Sequence, residues 1–169
     1  FTDLGPWLRQ RPEVHISINL SVDDLRSPTL PKLLHDQLQH WGIAAEQIIL
    51  EITERGFVDP ETTMPVIAHY RQAGHRISID DFGTGYANYE RLKHLQADII
   101  KIDGCFVRDI LTDPLDAIMV KSIVEMARAK QMSVVAEYVE SEPQKARLLE
   151  LGVNYLQGYL IGKPQPLGE

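Results

Sequence analysis

A parallel α/β fold is what the 169-residue sequence predicts, and three observations carry the prediction. Short apolar runs rich in β-branched residues recur six times, and helix-type periodicity with capping residues fills the intervals between them. Nearly every apolar run also closes on a polar residue. Strands that alternate regularly with helices pair in parallel through right-handed crossovers, which buries the sheet under a helical layer.

In chain order, VHISINL at 14–20 is the first strand. LPKLLHDQLQHWG follows as a helix: Leu30, Leu33, Leu34, Leu38 and Trp41 mark one face, and Gly42 stands where a left-handed residue closes a helix. QIILEIT at 47–53, RISID at 76–80 and DIIKID at 98–103 are the next strands. Asp113-Pro114 supplies an N-cap and a first-turn proline for the helix LDAIMVKSIVEMARAK. SVVAEYV at 133–139 is the fifth strand, Ser141 with Gln144 resembles a capping box for a helix ending near Gly152, and NYLQGYL at 154–160 is the sixth strand.

An open doubly wound sheet and a (β/α)8 barrel both satisfy this alternation, and the strand ends separate them. Residues two apart on a strand share a face, so Ser17 goes with Asn19, Ile49 with Glu51, Ser78 with Asp80, Ile99 with Lys101 and Asp103, and Val135 with Glu137. Asn19, Glu51, Asp80, Lys101 and Glu137 then point to one interior. A barrel gathers its strand C-termini into a single ring, where such folds keep their chemistry, whereas an open sheet spreads them along an edge. The expectation is a TIM-type (β/α)8 barrel, incomplete here with about six strand-helix units, because a closed barrel takes roughly 250 residues. Two N-terminal strands are expected to be missing from residues 1–169.

With 44% hydrophobic and 24% charged residues, the composition is that of an ordinary globular domain. No apolar run approaches the roughly 18 residues that cross a bilayer, and FTDLGPWLRQ lacks the features of a signal peptide, so no membrane contact is expected from this segment. The single cysteine, Cys105, cannot form an internal disulfide; it reads as a buried structural thiol in a reducing cytoplasm. A formal charge of −7 argues against a nucleic-acid polymer as partner, since counterion release needs clustered Lys and Arg. The six histidines show no metal-ligand spacing and are assigned no chemistry.

Acidic and amide groups converging on one apolar-lined space repel one another and lose hydration unless positive charge accompanies them. Oxygen donors without His or Cys select hard cations, Mg²⁺ or Mn²⁺. The adjacent pair Asp80 and Asp81 reaches one site only where the backbone leaves the pleat, a swing that Gly83 and Gly85 would permit. Two carboxylates at such a turn suit two ions about 3.5–4 Å apart. For Asp81 alone an Asx turn or N-cap is the commoner fate, but the alignment with Glu51, Asp80 and Glu137 favours ligation. Lys101 either pairs with Asp80 or Asp103, or orients and helps deprotonate an attacking water. GTGYAN lacks the spacing of a phosphate-binding or dinucleotide loop.

INLS at 18–21, LEITE at 50–54, DDFGTGY at 80–86, KID at 101–103, AEYVE at 136–140 and QGY at 157–159, in this order along nearly the whole chain, resemble the EAL-domain cyclic di-GMP phosphodiesterases. The resemblance implies a (β/α)8 barrel that opens cyclic di-GMP to linear pGpG with two Mg²⁺ or Mn²⁺ ions. It implies Asn19, Glu51, Asp80, Asp81 and Glu137 as metal ligands, with Asp80 shared. Lys101 would hold the attacking water, with Glu137 and Asp103 also in the catalytic set, and Asp103 and Gln157 as its neighbours toward the substrate. Glu54, with Gly83 and Gly85, would steady the DDFGTGY loop, through which the family senses substrate and forms homodimers. A cytoplasmic site of action is implied, compatible with a parent protein anchored in a membrane.

Three departures stand out. The E-A-L signature, with its glutamate ligand, has no counterpart in these residues. Tyr138 replaces the usual glycine of AEGVE, bringing a large ring near Glu137 that either narrows the pocket or points outward. Ala87 and Asn88 replace the serines after GY. Two other functions compete: an EAL-like receptor or interaction domain that binds cyclic di-GMP without cleaving it, favoured if loss of the signature glutamate is native, and a barrel of the enolase kind, which would not require paired aspartates.

Overall fold

The computed structural model describes residues 1–54, 60–84 and 96–167. Six strands, β1 (Ile16–Leu20), β2 (Ile48–Thr53), β3 (Arg76–Phe82), β4 (Ile99–Ile102), β5 (Ser133–Ala136) and β6 (Tyr155–Leu156), form one sheet. Every pairing is parallel and the spatial order follows the chain, β1-β2-β3-β4-β5-β6. A doubly wound sheet reverses direction at a switch point; this one does not, and its progression is that of a barrel wall.

Helices α1 (Leu4–Arg9), α2 (Val22–Arg26), α3 (Leu30–Trp41), α4 (Pro60–Gln72), α5 (Gly104–Arg108), α6 (Pro114–Ala129) and α7 (Glu142–Glu150) accompany the strands. Capping follows local chemistry. Gly42 closes α3 at φ 66°, Asp113 Oδ1 accepts from Leu115 N at 2.8 Å to start α6, and Ser141 with Gln144 forms a reciprocal capping box on α7. The helices α1, α2 and α5, of five or six residues, are too short for apolar periodicity to reveal them.

Side chains alternate between two faces along the strands with the two-residue period, and on β2, β3 and β4 both faces are largely buried. The helix-facing set, Ile48, Leu50, Ile52, Ile77, Ile79, Ile100, Ile102, Val134 and Ala136, is buried against Ile67, Tyr70, Val120, Ile123, Val124, Ala127 and Leu148. The opposite face carries the polar strand-end residues. Several strands are shorter than their apolar runs suggest. Asp103 has left β4 to become the N-cap of α5, Glu137 lies one residue beyond β5, and β6 keeps two residues. β5 stops because Tyr138, at φ 56°, turns the backbone out of the pleat. Cys105 is exposed rather than buried, because it falls on the outer side of the short helix α5. Partial desolvation and the neighbouring Asp103 carboxylate push its thiol up to about 12, so it carries no thiolate.

One buried amide ties the N-terminal segment to the sheet. Gln47, at the foot of β2, donates from Nε2 to the carbonyls of Arg11 at 3.0 Å and Val14 at 3.1 Å. Replacing it in Gln47→Leu leaves two carbonyls without their donor, and a loss of about 2 kcal/mol in unfolding free energy is expected from urea titration. An unchanged midpoint would overturn this role.

Candidate active site

The site forms where β2, β3, β4 and β5 end. Glu51 and Lys101 stand on the inner face of β2 and β4, at 7% and 5% exposure, and Glu137 follows β5 at 7%. The Lys101 ammonium lies 2.9 Å from Asp80 Oδ1, 2.9 Å from Glu137 Oε1 and 3.1 Å from Glu51 Oε2. Of the two partners expected for it, Asp80 is found; Asp103 is replaced by Glu51 and Glu137, because Asp103 turns away to cap α5. Burial alone would depress the Lys101 ammonium, but the close carboxylates of Asp80, Glu137 and Glu51 outweigh burial and hold it above its ordinary value.

Asp80 and Asp81 reach the same space through a β-bulge. Ile79 registers with Ile100 and Phe82 with Ile102, so two residues of β3, Asp80 and Asp81, stand opposite the single Lys101 of β4. Asp81 occupies the left-handed region at φ 54°, a conformation that Asp tolerates better than most residues. The swing expected at Gly83 and Gly85 thus occurs earlier, inside the strand. Gly83, at φ 100°, makes the next turn, and a side chain there would strike the ring of Phe106 on α5. Its N–H donates to Glu54 Oε2 at 3.0 Å, so Glu54 holds the start of the DDFGTGY segment; Gly85 lies outside the described residues.

Carboxylate oxygens of Asp80, Asp81 and Glu137 lie within 4.8 Å of one another. Burial, then the charges of Asp80 and Asp103, hold Asp81 above the usual carboxylate range, with Lys101 opposing. Burial, with Asp80 and Glu51, does the same for Glu137 against the pull of Lys101. Asp80 Oδ1 is buried and, despite its nearness to Lys101, has no hydrogen-bond partner in good geometry among the described residues. One ammonium facing four carboxylates leaves negative charge uncompensated, and the all-oxygen donor set of Asp80, Asp81 and Glu137 fits a hard divalent cation.

The remaining expected residues occupy the rim. Asn19 is exposed at the end of β1 and registers with Glu51. Asp103 is half-buried beside Asp81 and accepts from Cys105 N at 2.7 Å. Gln157 is exposed and, with Glu137, Tyr138, Glu140, Gly158 and Tyr159, lines a cleft of about 290 Å³. Sequence reasoning missed Gln144 as more than a cap. It is buried, accepts from Glu140 N and Ser141 N, and donates to the carbonyls of Val107 and Arg108 at 3.3 Å, fastening α7 to α5 and hence to Asp103 and Phe106. A polar residue at the third helical position signals only the box; the second partner comes from distant chain.

Comparison with known proteins agrees with this arrangement. Residues 1–164 match the EAL domain family. The chain is 51% identical over 168 residues to the probable cyclic di-GMP phosphodiesterase PdeA of Escherichia coli K12, covering 96% of this chain and 23% of that protein. It is 45% identical over 170 residues to the probable cyclic di-GMP phosphodiesterase PdeB of the same organism, covering 98% of this chain and 31% of that protein. The chain therefore spans about a quarter to a third of these curated relatives. Among solved structures, the PaMucR phosphodiesterase in complex with c-di-GMP superposes with a TM-score of 0.90 at 34% identity, covering 97% of this chain and 69% of that one. The manganese/cy-diGMP complex of Klebsiella pneumoniae BlrP1 superposes with a TM-score of 0.86 at 31% identity, covering 93% and 41%. Sequential parallel strands, an acidic cluster at their C-terminal ends and a family match over nearly all its residues lead to one conclusion: this chain belongs to the EAL domain family.

Proposed function

We propose that the protein hydrolyses cyclic di-GMP to linear pGpG at the ring around Lys101, with Mg²⁺ or Mn²⁺ as cofactor. The observation that carries this reading is the convergence of Asp80, Asp81 and Glu137 oxygens within 4.8 Å beside a buried lysine. Relatives named as cyclic di-GMP phosphodiesterases, and the complexes with this nucleotide and manganese, support the substrate class and the use of divalent metal.

Asn19, Glu51, Asp80, Asp81 and Glu137 are the residues that would hold two ions, Asp80 serving both. Such ions supply Lewis acidity toward the phosphoryl oxygens and make water more acidic. Lys101 donates from its ammonium and so orients the attacking water; ringed by carboxylates, it is a donor rather than the base that takes the proton. Asp103 keeps the floor of the site by capping α5, and Gln157 faces the nucleotide from the cleft beside Glu137. Water adds at one phosphorus, one ring P–O bond breaks, and the departing ribose oxygen takes a proton.

The same reading makes these six strands part of an eight-strand barrel that draws further strands from outside residues 1–169, and places the chain in the cytoplasm. It also makes the DDFGTGY segment a contact between two copies.

In the whole protein, Lys101→Ala or Glu51→Ala is expected to lower kcat by on the order of a hundredfold or more, measured by chromatographic release of pGpG. Chelation with EDTA should abolish release, and Mg²⁺ or Mn²⁺ should restore it. Binding of the nucleotide without release in the unchanged protein would favour the receptor reading instead. Metal-free Lys101→Met is expected to lose about 3 kcal/mol of stability, because it leaves buried carboxylates without their cation. Adding Glu137→Gln should recover part of that loss in chemical denaturation; additive effects of the two changes would argue against the electrostatic origin.

A further inference from the structure

Tyr138 is a bulky aromatic residue in the left-handed region, at φ 56°, a conformation that costs such a residue strain. The backbone on either side fixes it there. Glu137 N donates to Ile102 O at 3.2 Å, and Val139 N donates to Gln157 O at 3.0 Å. Val139 itself is fully buried, against Gly158, where any side chain would collide with its backbone. Residue 138 is therefore pinned between two anchored amides, and its side chain is thrown outward over α5.

The ring is 62% exposed, yet it is not loose. It lies on Gly104, the first residue of α5, where an added methyl group would meet atoms of Tyr138 before any others. It lines the cleft together with Glu137, Gln157 and Tyr159, so a large uncovered aromatic face stands beside the buried carboxylate of the site. Tyr159 is also 63% exposed, but its ring already holds the Lys163 ammonium 5.4 Å from the centroid. The unengaged aromatic face at this mouth, among the described residues, is that of Tyr138. A held aromatic ring next to a phosphodiester-cleaving centre is suited to a planar heteroaromatic group, which stacks on it at small entropic cost.

Resting on the function proposed above, we infer that Tyr138 is a substrate-binding residue whose ring, held in a strained backbone over Gly104, stacks on a guanine base of the nucleotide at the mouth of the site.

The test is equilibrium binding of cyclic di-GMP to the whole protein by calorimetry, with Ca²⁺ in place of Mg²⁺ and folding checked by thermal melting. Tyr138→Gly, which also relieves the strain, is expected to raise Kd about tenfold, while Tyr138→Phe keeps the ring and should stay within about twofold. Gly104→Ala is expected to weaken binding severalfold by displacing the ring, and to have no effect when added to Tyr138→Gly, a dependence that general damage to α5 would not produce. Equal affinity in Tyr138→Gly and the unchanged protein, or an undiminished effect of Gly104→Ala without the ring, overturns the inference alone. Absence of binding by the unchanged protein overturns the reading of the site on which it rests, and the inference with it.

Discussion

A single ammonium organises this molecule's chemistry. Lys101 is buried within 3.1 Å of Glu51, Asp80 and Glu137, which belong to or follow three different strands. Without it, three carboxylates would share a space that water scarcely reaches, and each would be driven to protonate or to force the strand ends apart. With it, they are drawn to one point, and oxygens of Asp80 and Glu137 are left close to Asp81. Charge compensation within the chain is incomplete, and that shortfall is why the donor set suits divalent cations.

The second constraint is geometric. A strand offers one side chain per face for every two residues, so neighbouring aspartates cannot both look inward from a regular ladder. The bulge at Asp80 and Asp81 breaks that rule where it is needed, and the fixtures around it are dedicated to the break. Asp81 takes the left-handed turn, Glu54 receives the Gly83 N–H, and Phe106 closes over Gly83. The short helix α5 begins at Asp103 and is fastened to α7 by Gln144, so the bulge rests on the helical layer as well as on β4.

Much of this was legible in the sequence, and the parts that were not share a cause. Strand number, parallel pairing and the barrel sense follow from period-two patterning and from the polar residues at Asn19, Glu51, Asp80, Lys101 and Glu137. The caps at Gly42, Asp113 and Ser141 follow from side-chain chemistry confined to a few residues. What escaped was whatever depends on distant chain. The place of the backbone swing needed the register of β3 on β4, the partners of Lys101 needed three strands at once, and the second role of Gln144 needed α5. Cys105 was misplaced because a five-residue helix leaves too little pattern to show which side faces out.

The order of the strands carries a consequence for how these residues behave in company. Among the described residues β1 and β6 are the end members of the sheet, and β1 reads Ile-Ser-Ile-Asn-Leu, without proline, lysine or any formal charge. Natural sheets usually guard a free margin with such residues, since its unpaired amides and carbonyls form a template for any extended chain nearby. With its margin free, such a strand would be a template for strand addition at high concentration.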